Sequence, residues 1–300
     1  MYLATTTNDF DRFEKSYLEK IKHVFEAGFS HIDLSLYTVG ENDELFIANN
    51  WRNNLETIQR YADENGIKFV QAHGPNVNPF GNFQGAVKLT ERAIEICSVL
   101  GIPNMVVHPG YSQSVTKEEW FEKNRKFFRA LFPTMEKFGV NVLHENTTNA
   151  NIRCYFSKTG TEMREFSEFV NHPMVHSCWD TGHGNIEGSQ YDEISIIGDD
   201  LYAVHINDNR GFQDEHIIPY FGTLNIDEIM NALIDIGYKG YFTLEAGNSL
   251  RPPQYWLGHR HTFAKDTRLS TPPLILQKEL EKFMYAVGEY ILKSYEIFDN

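Results

Sequence analysis

The 300-residue sequence predicts a single closed (β/α)₈ barrel on three observations. Eight short β-branched or aromatic runs alternate with longer stretches of 3.6-residue periodicity. No Gly-x-Gly-x-x-Gly turn follows any of those runs, so a doubly wound open sheet lacks its usual support. No linker or low-complexity tract divides the chain, and residues 1–300 read as one domain.

The strand-like runs are Tyr2 to Thr6, His31 to Leu36, Lys68 to His73, Asn104 to His108, Asn141 to Glu145, Met174 to Asp180, Tyr202 to Asn207 and Tyr241 to Glu245. Between them, Ala86, Leu89, Ala93, Ile96, Cys97 and Leu100 fall on one helical face. After the last strand, Leu276, Leu280, Phe283, Met284, Val287 and Ile291 do the same, and Pro272-Pro273 marks where that helix starts. Gly28, Gly101, Gly139 and Gly237 read as C-terminal helix caps. One irregular stretch, residues 246–275, separates the eighth strand from the final helix, and loops of that length are usually functional or disordered. Its Arg251, Arg260, Lys265 and Arg268 against Asp266 give a local charge of +3. Two readings stay open: a lid that draws in an anionic substrate, or a loop that makes contacts in a homo-oligomer.

Composition narrows the classes of function. A chain that is 41% hydrophobic and 23% charged can build a sizeable core and is not a disordered polymer. No run reaches the roughly 18 to 20 apolar residues of a membrane span. The start, Met1-Tyr2-Leu3-Ala4-Thr5, lacks a basic region followed by an apolar one, and a cytoplasmic protein is expected. With 27 Lys and Arg against 41 Asp and Glu, the net charge of −14 disfavours nucleic acid as a partner. Cys97, Cys154 and Cys178 form neither a disulfide framework nor a Cys-x-x-Cys metal site.

In a barrel the C-terminal ends of the strands surround one mouth, and here they carry metal-ligand side chains. His73 ends the third strand, His108 the fourth, Glu145 the fifth, Asp180 the sixth with His183 just beyond, His205 the seventh and Glu245 the eighth. Asp214 and His216 follow the seventh strand. Carboxylates converging on one mouth would repel unless cations compensate, so a divalent metal is expected. Nitrogen and oxygen donors without sulfur suit zinc, manganese, cobalt or iron better than calcium. Glu145 is the natural bridging carboxylate, whereas alternation along the strand turns His144 outward. Cys178 shares parity with Asp180 and reads as interior filler, and Trp179, of opposite parity, packs under helices. Gly247-Asn248-Ser249, after the eighth strand, lies where barrels often bind phosphate through backbone N–H groups.

The series Leu143-His144-Glu145-Asn146, Asp180-Thr181-Gly182-His183-Gly184-Asn185-Ile186-Glu187, His205-Ile206-Asn207-Asp208 and Leu244-Glu245 resembles the xylose isomerase-like TIM barrels over residues 20–250. That superfamily includes sugar phosphate isomerases and epimerases and the endonuclease IV type of apurinic endonuclease. Resemblance to the ketose 3-epimerases implies one divalent ion, Mn, Co, Zn or Mg, held by Glu145, Asp180, His205 and Glu245. It further implies that Glu145 and Glu245 exchange a proton alpha to a carbonyl through an enediolate, and that His183 and Arg210 contact the substrate. Asn151 departs from the epimerase pattern, where a further substrate-binding Glu is expected. Resemblance to the endonuclease branch implies instead three zinc ions on His73, His108, Glu145, Asp180, His183, His205, Asp214, His216 and Glu245, cleaving a phosphodiester. The preferred expectation is a metal-dependent isomerase or epimerase acting on a small carbohydrate, neutral, phosphorylated or acidic. A hydrolase of the endonuclease type and a non-catalytic carbohydrate binder are the alternatives.

Overall fold

In the computed structural model, which describes residues 1–39, 45, 51–149, 154–251 and 272–299, eight parallel strands close into a barrel in chain order. They are β1 (Leu3–Thr6), β2 (His31–Ser35), β3 (Lys68–His73), β4 (Asn104–Val107), β5 (Asn141–Glu145), β6 (Val175–Asp180), β7 (Leu201–Ile206) and β8 (Phe242–Leu244). Closure is set by β1, whose Ala4 lies beside His31 of β2 and Thr243 of β8. The expected runs match these strands to within two residues at each end; His108, Asn207 and Glu245 sit just past their strands, on the loops that form the mouth.

The described helices are α1 (Tyr17–Glu26), α2 (Trp51–Asn65), α3 (Phe83–Val99), α4 (Lys117–Phe138), α5 (Gly160–Val170), α6 (Thr181–Glu187), α7 (Tyr191–Ile197), α8 (Ile226–Asp235) and α9 (Leu274–Ser294). Their starts follow from local chemistry. Thr116 and Glu119 form a capping box on α4, each side chain meeting the other residue's backbone N–H, and left-handed Gly139 (φ +68°) ends it. Pro273 is the N-cap of α9, as the Pro272-Pro273 pair predicts. That helix covers the seam between β1 and β8 at close quarters: a Cβ on Gly288 would lie 2.4 Å from Leu3 Cδ1.

Alternation along the strands divides the apolar residues into two sets. Ala72, Val107, Val142, Trp179, Val204 and Leu244 point outward and join the large core under the helices, where Trp179 Nε1 also donates to Gln190 Oε1 at 2.8 Å. Val106, Leu143, Cys178 and Ala203 point inward as a small separate cluster. Two residues further along the same faces come His108, Glu145, Asp180 and His205, so one apolar layer underlies the polar groups at the mouth. Burial pushes the Cys178 thiol up to about 12, in keeping with a filler that stays neutral. Asn151 and the basic loop beyond Arg251, including Arg260, Lys265, Asp266 and Arg268, lie outside the described residues.

Candidate metal centre

Strand parity and strand length bring all nine candidate ligands to one end of the barrel. Glu145, Asp180, His205 and Glu245 offer ligand atoms that lie within 4.8 Å of one another. His73, Glu145 and His205 form a second such group, and Asp180, His183 and His216 a third. Glu145 and Glu245 approach the same nitrogen, His205 Nδ1, at 2.6 and 3.3 Å. His108 Nε2 reaches Glu145 Oε2 at 2.5 Å, and Asp214 lies between His183 Nε2 (3.3 Å) and His216 Nε2 (3.1 Å).

Backbone carbonyls assign the tautomers of three of these imidazoles. His73 Nδ1 meets Gly74 O at 3.0 Å, His183 Nδ1 meets Asn146 O at 2.8 Å, and His216 Nδ1 meets Glu245 O at 3.0 Å. A carbonyl oxygen can only accept, so each Nδ1 carries a proton, and Nε2 is the nitrogen that each ring turns toward the mouth. His205 is reversed: Nε2 lies 3.4 Å from Asp33 Oδ2, and Nδ1 faces the glutamates.

Two carboxylate oxygens at the mouth lack a well-aligned donor: Glu145 Oε2 and Asp214 Oδ1 are buried without one, although imidazole nitrogens lie at 2.5 and 3.1 Å. A divalent cation held among those nitrogens and oxygens would satisfy both. The donor set therefore fits such an ion, through nitrogen and oxygen alone. The acids also differ in their proton affinity. Burial works to raise the Glu145 carboxyl, but the charges on His205 and His108 overcome it and hold it well below the usual range. Burial prevails at Asp180 and raises it, while His183 is pushed up to about 10 as Asp180 and Asp214 outweigh its own desolvation.

A layer of supporting groups holds the ligands, and much of it was not apparent from the sequence. Asp33, in the middle of β2, accepts from Gln71 Nε2 at 2.7 Å and from the His73 N–H at 3.1 Å while facing His205. Asn207 Nδ2 donates to Asp180 Oδ2 at 2.6 Å. Asn146 ties β5 to β6, its Nδ2 donating to Asp180 O (3.0 Å) and its Oδ1 accepting the Asp180 N–H (2.5 Å). Gly182 leaves room for Asn207, whose Oδ1 would lie 1.9 Å from an added Cβ. The signal for Asp33 was a charged residue on a strand with the same parity as the barrel interior.

A cavity of about 320 Å³ opens above these groups. Seven of the nine candidates line it, while Asp180 and His205 lie beneath, with side chains 0% and 1% exposed. Asn8, Asp9, Tyr37, Gly247, Asn248 and Arg251 complete the wall. His183 is among the residues that line the cavity. Arg210 does not line this cavity: its guanidinium pairs with Glu215 at 2.5 Å, and Glu215 also accepts the Arg210 N–H at 3.0 Å. His144 points away from the mouth, as parity requires, with Nε2 2.8 Å from Ser167 Oγ on α5. In the Gly247-Asn248-Ser249 turn, Gly247 packs against the Asp9 carboxyl and the Asn248 N–H donates to His216 O at 3.1 Å, so that N–H is engaged within the protein.

Fold and site together define a barrel with a polar, ligand-rich mouth, and residues 21–266 match the family described as xylose isomerase-like TIM barrel; the chain belongs to that family. Among curated relatives it is 27% identical to the uncharacterized protein y4fM of Sinorhizobium fredii, over 75% of this chain and 81% of the relative. It is 24% identical to a probable endonuclease 4 of Bacillus anthracis, over 52% of this chain and 57% of that protein. Among solved structures, D-psicose 3-epimerase from Clostridium cellulolyticum H10, solved with D-tagatose, superposes with a TM-score of 0.75 at 19% identity, covering 97% of this chain and 99% of that one. The IolI protein, solved with a bound zinc atom, gives 0.73 at 19% identity over 98% and 99% of the two chains.

Proposed function

We propose that the protein is a metal-dependent sugar isomerase or epimerase that moves a proton on the carbon next to a carbonyl. The observation that carries this reading is the pair of glutamates. Glu145 and Glu245 approach His205 Nδ1 from different strands, and both reach the cavity wall, so a substrate seated above His205 would have a carboxylate on either side. A divalent ion held by Glu145, Asp180, His205 and Glu245 would supply Lewis acidity at the carbonyl and its adjacent hydroxyl. One glutamate then takes the carbon-bound proton and the other returns one, on the same face of the carbon skeleton or the opposite one. Asp33 and Asn207 keep His205 and Asp180 in place, and His183 offers its ring to a substrate oxygen. The likeness to D-psicose 3-epimerase supports this reading.

A second reading, a trinuclear zinc phosphodiester hydrolase, is favoured by one observation: all nine candidate ligands converge, more than a single ion requires. The net charge of −14 argues against a duplex DNA substrate.

Incubating the Mn²⁺-loaded protein with ketoses in D₂O tests the first reading. Deuterium is expected at the carbon beside the carbonyl. Glu245→Gln is expected to abolish that exchange with a modest loss of sugar binding, and full turnover in this variant would overturn the acid/base role. Anomalous scattering from as-purified crystals counts the ions: one supports the epimerase reading, three the hydrolase.

A further inference from the structure

We infer that the cavity binds an anionic group on the substrate, with Arg251 as its cation; this rests on the carbohydrate reading above and adds a substrate class to it. Arg251 lines the same cavity as the glutamates, beside Asn8, Tyr37 and Asn248. It is half-buried, and among the described residues no carboxylate lies within 4.0 Å of its guanidinium.

The neighbouring charges leave this cation poorly compensated. Burial and the like charge of Arg12 both act to lower the Arg251 pKa, which shows a guanidinium partly removed from water and facing another. Neither nearby acid pairs with Arg251. Asp11 pairs with Lys20 at 2.5 Å and accepts from Thr38 Oγ1 at 2.8 Å. Asp9 packs against Gly247 and lies beyond 4.0 Å from the guanidinium. A cation desolvated without a full partner favours an incoming anion, and its planar fork suits either a phosphate or a carboxylate. With the carbonyl and its neighbouring hydroxyl at the metal ligands, the anion belongs at the end of the sugar remote from that carbonyl.

Calorimetry on the Mn²⁺-loaded protein tests this with three probes that differ only at that end: D-fructose, D-fructose 6-phosphate and D-fructuronate. At least one anionic sugar is expected to bind about tenfold or more tightly than D-fructose, the size of one charge-assisted contact. Whichever of the two prevails distinguishes phosphate from carboxylate. That margin is expected to fall below about twofold in Arg251→Gln and to return in large part in Arg251→Lys. Equal binding of all three sugars, or a margin that survives in Arg251→Gln, overturns the inference while leaving the carbohydrate reading intact. If none of the three binds, the carbohydrate reading falls and the inference falls with it.

Discussion

Asp33 shows how one side chain can orient a candidate metal ligand from beneath the mouth. Its carboxylate faces His205 Nε2 and so directs the opposite nitrogen to the glutamates. Asp33→Asn is expected to weaken Mn²⁺ binding by about 10- to 100-fold, measured by competition with a chromogenic chelator; unchanged affinity would remove its orienting role. Gly182→Ala acts on Asp180 instead. The new methyl must displace Asn207, and a loss of about 1–3 kcal/mol in urea unfolding is expected, together with weaker metal binding. The ligands themselves were legible because histidines and acids at successive strand ends are chemically conspicuous. Asp33 was not, because β2 ends in Ser35 and carries no ligand to draw attention to it. Nor could residue type reveal the tautomers, which depend on where Gly74, Asn146 and Glu245 place their carbonyls.

At the level of single elements, β5 shows how parity separates the candidate site from its support. Glu145 faces the mouth, while His144 turns to α5 and joins Ser167, Ser177, Asp200 and His176 in a hydrogen-bonded network outside the barrel. Burial opposes ionisation of Asp200, but hydrogen bonds from His176 and Ser177 hold its pKa below the ordinary value. A depressed carboxylate stabilises the fold above its unfolded pKa, and that contribution disappears as pH falls through the folded value. Asp200→Asn should therefore be less stable than the parent protein at pH 7, with the difference narrowing below about pH 4. Urea melts at both pH values check it, and a constant gap would rule the linkage out. Elsewhere, Thr116→Ala should cost about 1 kcal/mol by removing the α4 capping box, with Mn²⁺ affinity unaltered. The strand and helix order was readable because each element has its own hydrophobic period, whereas the mouth ends of β2, β4, β7 and β8 fall one residue earlier than expected, since loop hydrogen bonds decide where pairing stops.

Across the whole molecule, the barrel concentrates acids at one end of a chain that already carries a net charge of −14. Divalent cations should therefore stabilise the folded state strongly. A hundredfold excess of Mn²⁺ over its dissociation constant is worth about 2.7 kcal/mol, and a chelator should lower the melting temperature accordingly. Identical melting curves with and without the ion would contradict the site. The sequence could show that these acids belong to one mouth, but not how many ions they hold, because neighbouring ligand groups share Glu145, Asp180 and His205.

The layer beneath the acids bears on the course of the proposed reaction. Val106, Leu143, Cys178 and Ala203, with Gln71 and Thr243 hydrogen-bonded at 3.3 Å, place groups there that neither gain nor release a proton near neutral pH. On the epimerase reading, these six side chains offer a hydrogen lifted from carbon no relay, and Asp33, the ionisable group hydrogen-bonded to Gln71 beneath His205, is itself sealed from water. The hydrogen's trade with bulk water passes through the opening that the sugar itself fills, so internal return should compete with wash-out in every catalytic cycle.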